Sequence, residues 1–274
     1  MSNLKIFCIT LNPKHENLIN ELGYTPVGLG DKFFSSSWIH DKSGNNIAFK
    51  NKYYGEYTFH YWLWKNNQVN FDGWIGFCQY RKFWKNINKT NDNLTNNFEN
   101  LNKIVLKEIP KELENFESIL LESQFVNQFR FSKFIKHNFK TMLHNPSLFF
   151  DKNKRTIKFH FDMMHGRGNL NKAIEVLDHK ERGDFNDFVN SEVSFNPQNM
   201  FICKNKKILF SYYDSLFPWL ANCEKIFKFK DLKGFGLQRI YGFLAERYMS
   251  YWFKKYSNYL EWPVITFNIP RKNN

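Results

Sequence analysis

Short apolar segments alternating with longer amphipathic ones set the strongest limit on what this chain can fold into. Each apolar segment is rich in strand-forming residues, as expected of a buried strand. The predicted strands cover 4–10, 74–80, 118–121 and 198–203. Helices are predicted over 54–66, 169–177, 212–227 and 237–256, the first from aromatic residues that recur every three or four positions. This alternation predicts an α/β fold: a mostly parallel sheet flanked by helices.

The segments between these elements are polar and carry turn signals. A long loop is predicted over 86–103, which is rich in Asn, Lys and Thr, and another is predicted to begin at Arg182. The residues from Arg271 onward are polar, and we expect a frayed terminus. The chain has no visible repeat and no convincing linker, so the 274 residues are predicted to form a single domain.

The net charge of +13 predicts attraction to polyanions, namely nucleic acid, an anionic membrane surface or phosphorylated ligands. The surplus is mostly lysine, so the few arginines, which make bidentate phosphate contacts, are the sharper candidates for a site. Nucleic-acid binding lacks support from any recognisable module, since neither an RRM signature nor zinc-finger spacing is present. We therefore favour a phosphorylated small-molecule ligand over nucleic acid.

Several other classes of protein are excluded or disfavoured by missing signals. No apolar run reaches the roughly 18 residues that a membrane helix needs, and the first residues do not resemble a signal peptide, so we expect a cytoplasmic protein. The four cysteines are isolated, which favours neither a disulfide framework nor a zinc site. The phosphate-binding motifs GxxxxGK[ST] and GxGxxG are absent, as are GxSxG and HExxH.

Polar residues at the strand ends are the first candidates for a site, because open α/β sheets bind ligands beyond the carboxyl ends of their strands. Three strand ends qualify: Thr10 to Asn12, Gln79 to Lys82, and Lys204. The second is the most informative, since Arg81 and Lys82 would place two adjacent cations at the binding edge of the sheet.

Three blocks of the sequence together carry a resemblance to a known family. The first runs from Gly44-Asn45-Asn46 through Lys50-Asn51 and Glu56-Tyr57-Thr58 to Lys65-Asn66. The second is 74–83, WIGFCQYRKF, and the third is 242–247, GFLAER. The chain resembles the bacterial capsular and exopolysaccharide glycosyltransferase family that is catalogued as a domain of unknown function. The resemblance covers about residues 5–262.

The resemblance implies a GT-A-like, Rossmann-type fold with an acceptor-side helical region. It implies a nucleotide-binding half over about 1–125, an acceptor-side half over about 126–262 and a frayed tail over 263–274. The implied activity is transfer of a sugar from a nucleotide-sugar donor to a lipid-linked or polysaccharide acceptor. A phosphoester-processing enzyme that uses the same cations, and a non-enzymatic nucleic-acid-binding protein, remain the alternatives.

The chain departs from the family pattern at Gln79-Tyr80-Arg81-Lys82, where the family has His-Tyr-Arg-Arg, and at Asn45, where it has Asp. GT-A enzymes commonly place Asp-x-Asp at such a strand end to hold Mg²⁺ or Mn²⁺, which prefer carboxylate oxygens. Gln79-Tyr80-Arg81 offers no carboxylate. We therefore predict that Arg81 and Lys82 stabilise the leaving diphosphate without a metal cofactor, with a divalent cation as the alternative.

The remaining candidates divide by role. If the reaction inverts the anomeric centre, the acceptor hydroxyl needs a base, for which Glu246 is the first candidate, followed by Asp184 and Asp187. Glu56 is predicted either to bind substrate or to pair with His60 within its helix, and His165 either to reach a phosphate or to pack in the core. The residues predicted to bind substrate are Thr10, Asn12, Gly44, Asn45, Asn46, Lys50, Glu56, Gln79, Tyr80, Arg81, Lys82, His165, Asn199 and Arg247.

The positive charge has a second use if the acceptor is attached to a lipid. Anionic bilayers attract basic surface patches by about 1 kcal/mol per nearby lysine or arginine. We therefore expect peripheral contact with the inner face of the cell membrane.

Overall fold

A mixed sheet lies at the centre of the fold, between two layers of helices. The computed structural model describes residues 3–89, 98–128 and 147–267. Within those residues the sheet has nine strands, in the order β10-β6-β9-β4-β1-β2-β3, and β5 and β11 extend it beyond β4. The strands are β1 Leu4–Thr10, β2 Thr25–Gly28, β3 Ile39–His40, β4 Trp74–Gln79, β5 Lys82–Trp84, β6 Ser118–Leu121, β7 Gln124–Phe125, β8 Ser194–Phe195, β9 Phe201–Cys203, β10 Tyr259–Trp262 and β11 Val264–Thr266.

The helices pack on both faces of this sheet. Those of the described residues are α1 Glu16–Glu21, α2 Asn51–Tyr54, α3 Tyr57–Lys65, α4 Phe98–Ile104, α5 Ser147–Phe150, α6 Ile157–His165, α7 Asn169–Glu175, α8 His179–Ser191, α9 Lys206–Ile226, α10 Phe235–Gln238 and α11 Ile240–Tyr256. The α/β fold with a mostly parallel sheet, predicted from the sequence, is confirmed.

Strand β1 shows why the sheet is buried on both faces. Successive side chains of a strand point to opposite faces, so Phe7 and Ile9 pack with α3, α9 and α11, whereas Ile6 and Cys8 pack on the side of α1 and α4. A strand with two buried faces reads as one continuous apolar run, which is what residues 4–10 are.

The direction of β9 differs from the sequence prediction. Lys204, at the end of this strand, was one of the three strand ends considered for a site at the binding edge of a mostly parallel sheet. Instead β9 is antiparallel to both β4 and β6. Lys204 therefore lies at the opposite edge, where its Nζ donates to the Glu114 carbonyl at 2.6 Å. The residues that precede β9, Gln198 and Asn199, lie at the edge formed by the carboxyl ends of β1 and β4.

Three segments expected to be irregular are partly or wholly regular. The predicted loop at Arg182 is wrong, because 179–191 form the continuous helix α8, which begins at the side-chain cap of Asp178. The long loop predicted over 86–103 contains most of α4, and its residues 90–97 lie outside the described residues. The tail predicted to fray from 263 begins with β11, which pairs with β5, and residues 268–274 lie outside the described residues.

The central sheet draws strands from both predicted halves of the chain. Strand β9 is inserted between β4 and β6, and β10 pairs with β6, although β9 and β10 follow residue 126. The assignment of the two halves to donor and acceptor stays a prediction. In the part of the chain that is described, no helix is both long and apolar enough to cross a membrane.

Candidate active site

A pocket of about 550 Å³ opens where β1 and β4 end and β9 begins. The loops after β1 and β2 form one wall, and the junction between α2 and α3 forms another. The first two turns of α11 close the back, so the amino-terminal end of that helix meets the pocket. A helix amino terminus carries partial positive charge, which favours an anionic ligand.

Glu56 connects three walls of this pocket. Its Oε1 accepts hydrogen bonds from Asn199 Nδ2 at 2.7 Å and Gln79 Nε2 at 3.3 Å. Its Oε2 accepts from the Arg239 guanidinium at 3.2 Å. The Glu56 side chain is only 12% exposed, and the helix it precedes begins without a side-chain cap. The predicted pairing of Glu56 with His60 is therefore wrong, since Glu56 turns toward the pocket and His60 Nδ1 bonds the Tyr213 hydroxyl.

Glu246 is the second carboxylate of the pocket. Its side chain is 13% exposed, forms an ion pair with Arg247 at 2.5 Å, and accepts a hydrogen bond from the backbone N–H of Gln198. Burial raises the pKa of Glu246, while the Arg247 charge and the Gln198 hydrogen bond oppose that rise. The result is a carboxylate that is fixed in position and more basic than an exposed glutamate.

Arg247 supports Glu246 from behind the pocket and does not line it. The guanidinium is 2% exposed, lies 4.2 Å from the centre of the Phe195 ring and contacts His160 Nδ1 at 3.2 Å. Burial lowers the pKa of His160 and of His165 to about 3, so both rings are neutral near pH 7. Because the His160 and His165 rings carry no charge, they do not repel the nearby Arg247 guanidinium.

His165 also lies behind the pocket wall. Its ring stacks on Phe243, which does line the pocket, with 4.0 Å between centres. Its Nδ1–H donates to the Gly236 carbonyl at 2.9 Å. Of the two alternatives for this residue, the structure places it in the packed wall.

The end of β4 delivers Arg81 to the opening of the pocket. Arg81 is exposed, and its guanidinium lies 5.0 Å from the centre of the Tyr80 ring. The Tyr80 ring packs in turn against His15, which bonds the buried Thr10 hydroxyl at 2.9 Å. The side chains at the ends of β1 and β4 therefore form one connected group with a cation at its outer end.

The structure brings seven of the seventeen predicted site residues together. Those that line the pocket are Thr10, Glu56, Gln79, Tyr80, Arg81, Asn199 and Glu246. Asn12 lies beside it and bonds His15 at 3.0 Å. Lys82 is the first residue of β5, and Lys50 forms an ion pair with Glu224 at 2.7 Å. Neither lysine lines the pocket.

The other predicted residues lie elsewhere. The Gly44-Asn45-Asn46 turn is held by its own hydrogen bonds, including a pair between the Asn45 backbone and the Asn66 amide. Asp184 and Asp187 lie on α8, and Asp184 is 63% exposed and pairs with Lys255 at 2.8 Å. None of these residues lines the pocket.

Arg239 is the main residue that the sequence analysis missed. It precedes α11, lines the pocket and lies against Gly55, where an added Cβ would overlap the guanidinium. Its partner Glu56 is 183 residues away in the chain, so no local pattern links them. The scarcity of arginine was the one sequence signal that pointed to it.

Comparison with solved structures shows a fold similar to that of a glycosyltransferase. The apo structure of the WbbM bifunctional glycosyltransferase matches this chain with a TM-score of 0.63 and 19% sequence identity. The match covers 97% of this chain and 46% of that one, so the chain spans slightly less than half the length of that protein. No curated protein matches the sequence.

Comparison with family models gives the narrower assignment. The model described as a domain of unknown function, DUF4422, matches residues 5–258. The chain therefore belongs to the DUF4422 family, which confirms the family part of the resemblance drawn from the sequence.

Proposed function

We propose that this protein is a glycosyltransferase that moves a sugar from a nucleotide-sugar donor to a hydroxyl group of a growing surface glycan. One observation carries the proposal. At the ligand-binding edge of a glycosyltransferase-like sheet, two nearly buried carboxylates, Glu56 and Glu246, share a 550 Å³ pocket with Arg81 and Arg239. The reaction needs carboxylates for proton transfer and cations for the leaving diphosphate, and the pocket supplies both.

The donor diphosphate is assigned to the cationic side of the pocket. Arg81 and Lys52 are exposed at its opening, and Arg239 reaches it from the start of α11. Each charge-assisted hydrogen bond to phosphate contributes about 1.5–3 kcal/mol. Two or three such bonds, together with the amino terminus of α11, stabilise the charge that develops as the nucleoside diphosphate leaves.

The pocket residues do not fit a protein-bound divalent cation. The end of β4 offers Gln79, Tyr80 and Arg81, none of which is a carboxylate. The Glu56 carboxylate already forms an ion pair with Arg239 and accepts hydrogen bonds from two side-chain amides, and the Glu246 carboxylate forms an ion pair with Arg247. Over the described ranges, no group of three His, Cys, Asp or Glu side chains is placed to hold a metal. We therefore propose that Arg81, Lys52 and Arg239 stabilise the diphosphate without a protein-bound metal.

Glu246 is the proposed general base for an inverting transfer. It lies in the pocket, its position is fixed by Arg247 and by the Gln198 N–H, and its raised pKa strengthens it as a proton acceptor. Glu56 is the second candidate, because it also lines the pocket. Asp184 and Asp187 rank behind both, since they lie on α8 outside the pocket.

We also propose that the protein works in the cytoplasm, at the inner face of the membrane, on a lipid-linked or polysaccharide acceptor. The loop after β2 carries Phe33 and the short 3-10 helix before α2 carries Phe49, which are 87% and 79% exposed, and Leu11 at the pocket is 53% exposed. We call these three side chains the apolar rim. The exposed Lys32 and Lys52 flank it. Apolar side chains beside cations suit the interface of an anionic bilayer.

Ligand-induced thermal stabilisation with a panel of nucleotide sugars tests the proposal. A cognate donor should raise the unfolding temperature by mass action, and release of its nucleoside diphosphate should follow when a glycan acceptor is added. Release of sugar phosphate or inorganic phosphate would favour the phosphoester-processing alternative. Salt-sensitive binding of random oligonucleotides without any response to nucleotide sugars would favour the nucleic-acid-binding alternative.

A further inference from the structure

Two side-chain carbonyl groups in the pocket wall are buried with no hydrogen-bond partner among the described residues: Asn199 Oδ1 and Gln198 Oε1. Both residues line the pocket, and Asn199 is only 7% exposed. Buried polar groups are nearly always paired in folded proteins, so an unpaired one in a pocket wall is available to accept a hydrogen bond from a ligand.

The orientation of the Asn199 amide follows from chemistry. Its Nδ2 lies 2.7 Å from Glu56 Oε1, and a carboxylate only accepts hydrogen bonds. The amide nitrogen must therefore face Glu56, and the carbonyl oxygen must face away from it. The orphaned group is thus an acceptor, and the ligand group that satisfies it must be a donor.

The backbone of these two residues is also held in an unfavourable conformation. Gln198 and Asn199 have φ angles of 70° and 53°, in the left-handed region that non-glycine residues rarely adopt. Contacts on both sides hold the turn: the Gln198 N–H donates to Glu246, and its carbonyl accepts from Gln79 Nε2 at 3.0 Å. Such strain persists where function requires a particular side-chain placement.

We infer that Gln198 and Asn199 form the subsite for the transferred sugar, with their amide carbonyls accepting hydrogen bonds from two of its hydroxyl groups. Ionised phosphate cannot donate a hydrogen bond, whereas a sugar hydroxyl can. The subsite lies between the end of β4, which carries Arg81, and Glu246, which is where a donor sugar must sit to meet an activated acceptor. The inference rests on the proposed function and adds to it the residues that recognise the sugar.

The test compares the dissociation constants of a nucleotide sugar and of the corresponding nucleoside diphosphate. Two variants remove the carbonyls: Asn199→Ala and Gln198→Gly. Each should weaken binding of the nucleotide sugar about three- to tenfold, with affinity for the nucleoside diphosphate changed less than about twofold. Gln198→Gly should not lower the unfolding temperature, because glycine relieves the positive φ angle.

Two control variants separate recognition from folding. Asn67→Gly changes another left-handed residue, φ 53°, that is exposed and outside the pocket, and it should alter neither affinity. Asn196→Ala removes a buried amide that is satisfied internally by Ser250 and the Leu121 carbonyl. It should lower stability while leaving the ratio of the two dissociation constants unchanged.

Three results would overturn the inference. If both affinities fall in parallel in Asn199→Ala and Gln198→Gly, the residues act on the pocket as a whole. If donor affinity is unchanged and only the KM of the acceptor rises, the carbonyls bind the acceptor sugar instead. If the wild-type protein binds no nucleotide at all, the proposed function itself fails, which is distinguishable from failure of the subsite alone.

Discussion

At the scale of single residues, two ion pairs, Glu56 with Arg239 and Glu246 with Arg247, fix the carboxylates that face the pocket. The sequence placed Glu56, Arg81 and Glu246 among the candidates, and the structure puts all three in the pocket wall. The sequence did not predict the residues that hold these side chains in place, because the partners are far apart in the chain. Glu56 bonds Arg239 across 183 residues, and Gln198 bonds Glu246 across 48. Local patterns predict which residues reach a sheet edge, whereas pairings of this kind depend on the finished fold.

Replacement of Glu246 by Gln tests its role as the base. Turnover should fall about 10²-fold or more with little loss of donor affinity, because the amide keeps the size of the side chain but cannot accept the proton. Burial raises the pKa of Glu246, so wild-type activity should fall as the pH drops through a value above 4.5, at which the base becomes protonated. This acidic limb should be absent from the residual activity of the variant.

Near-normal turnover in Glu246→Gln would contradict the assignment and move the role to Glu56. Donor affinity and unfolding temperature serve as controls, since the substitution also removes the charge beside the buried Arg247.

Replacement of Arg81 tests the phosphate contact. Arg81→Ala should weaken donor binding or slow turnover by an amount that corresponds to a few kcal/mol, because an exposed guanidinium at the pocket opening is lost. Arg81→Lys should recover only part of the loss, since a point charge cannot reproduce the two-pronged contact. Wild-type activity in Arg81→Lys would argue against a bidentate contact, and wild-type activity in Arg81→Ala would argue against any contact with the phosphates. The measurements are donor affinity and steady-state turnover.

At the scale of elements, strands were predicted better than loops. Strands β1 and β6 were predicted with their observed bounds, and β4 to within one residue, because an apolar run that is buried on both faces has few alternatives. Strand β9 was found, but its direction was not, since an apolar run carries no signal for parallel or antiparallel pairing. The predicted loop at Arg182 was wrong because Gly183 looked like a turn signal, yet it lies inside α8.

Two glycines test how far the junction of α2 and α3 shapes the pocket. Gly55, φ 59°, packs against Arg239, so Gly55→Ala should lower the free energy of unfolding by about 1–2 kcal/mol and weaken donor binding. Gly183 lies in a helix, and an added Cβ there meets no neighbouring element within 4 Å. Gly183→Ala should therefore raise the free energy of unfolding by about 0.5–1 kcal/mol. Denaturant titration measures the free energy of unfolding of each variant, and a binding titration measures its donor affinity. Equal effects of the two substitutions would contradict the role of the junction.

At the scale of the whole molecule, one sheet built from both halves of the chain brings the site together. Strand β9 comes from the second half and lies beside β4 from the first, and this pairing puts Asn199 next to Glu56. Sequence periodicity predicted the α/β class but not this insertion, because the register between distant strands is set by tertiary packing.

The net charge of +13 and the apolar rim predict membrane contact. The double variant Phe33→Ser, Phe49→Ser should float less with vesicles that contain phosphatidylglycerol than the wild-type protein does, at low salt. The control, Ile87→Ser, changes a 47% exposed residue beyond the carboxyl end of β5, which runs antiparallel to β4, and should float normally. Absence of wild-type binding at low salt would count against the contact.

We propose that arginines at the pocket, rather than a protein-bound metal, stabilise the departing nucleoside diphosphate. The most direct measurement is release of nucleoside diphosphate from the cognate nucleotide sugar in excess EDTA, with and without added Mn²⁺ or Mg²⁺. The wild-type rate should survive EDTA and change little with either cation, and the rate should fall sharply in Arg81→Ala. Loss of activity in EDTA with recovery on addition of Mn²⁺ would contradict this proposal.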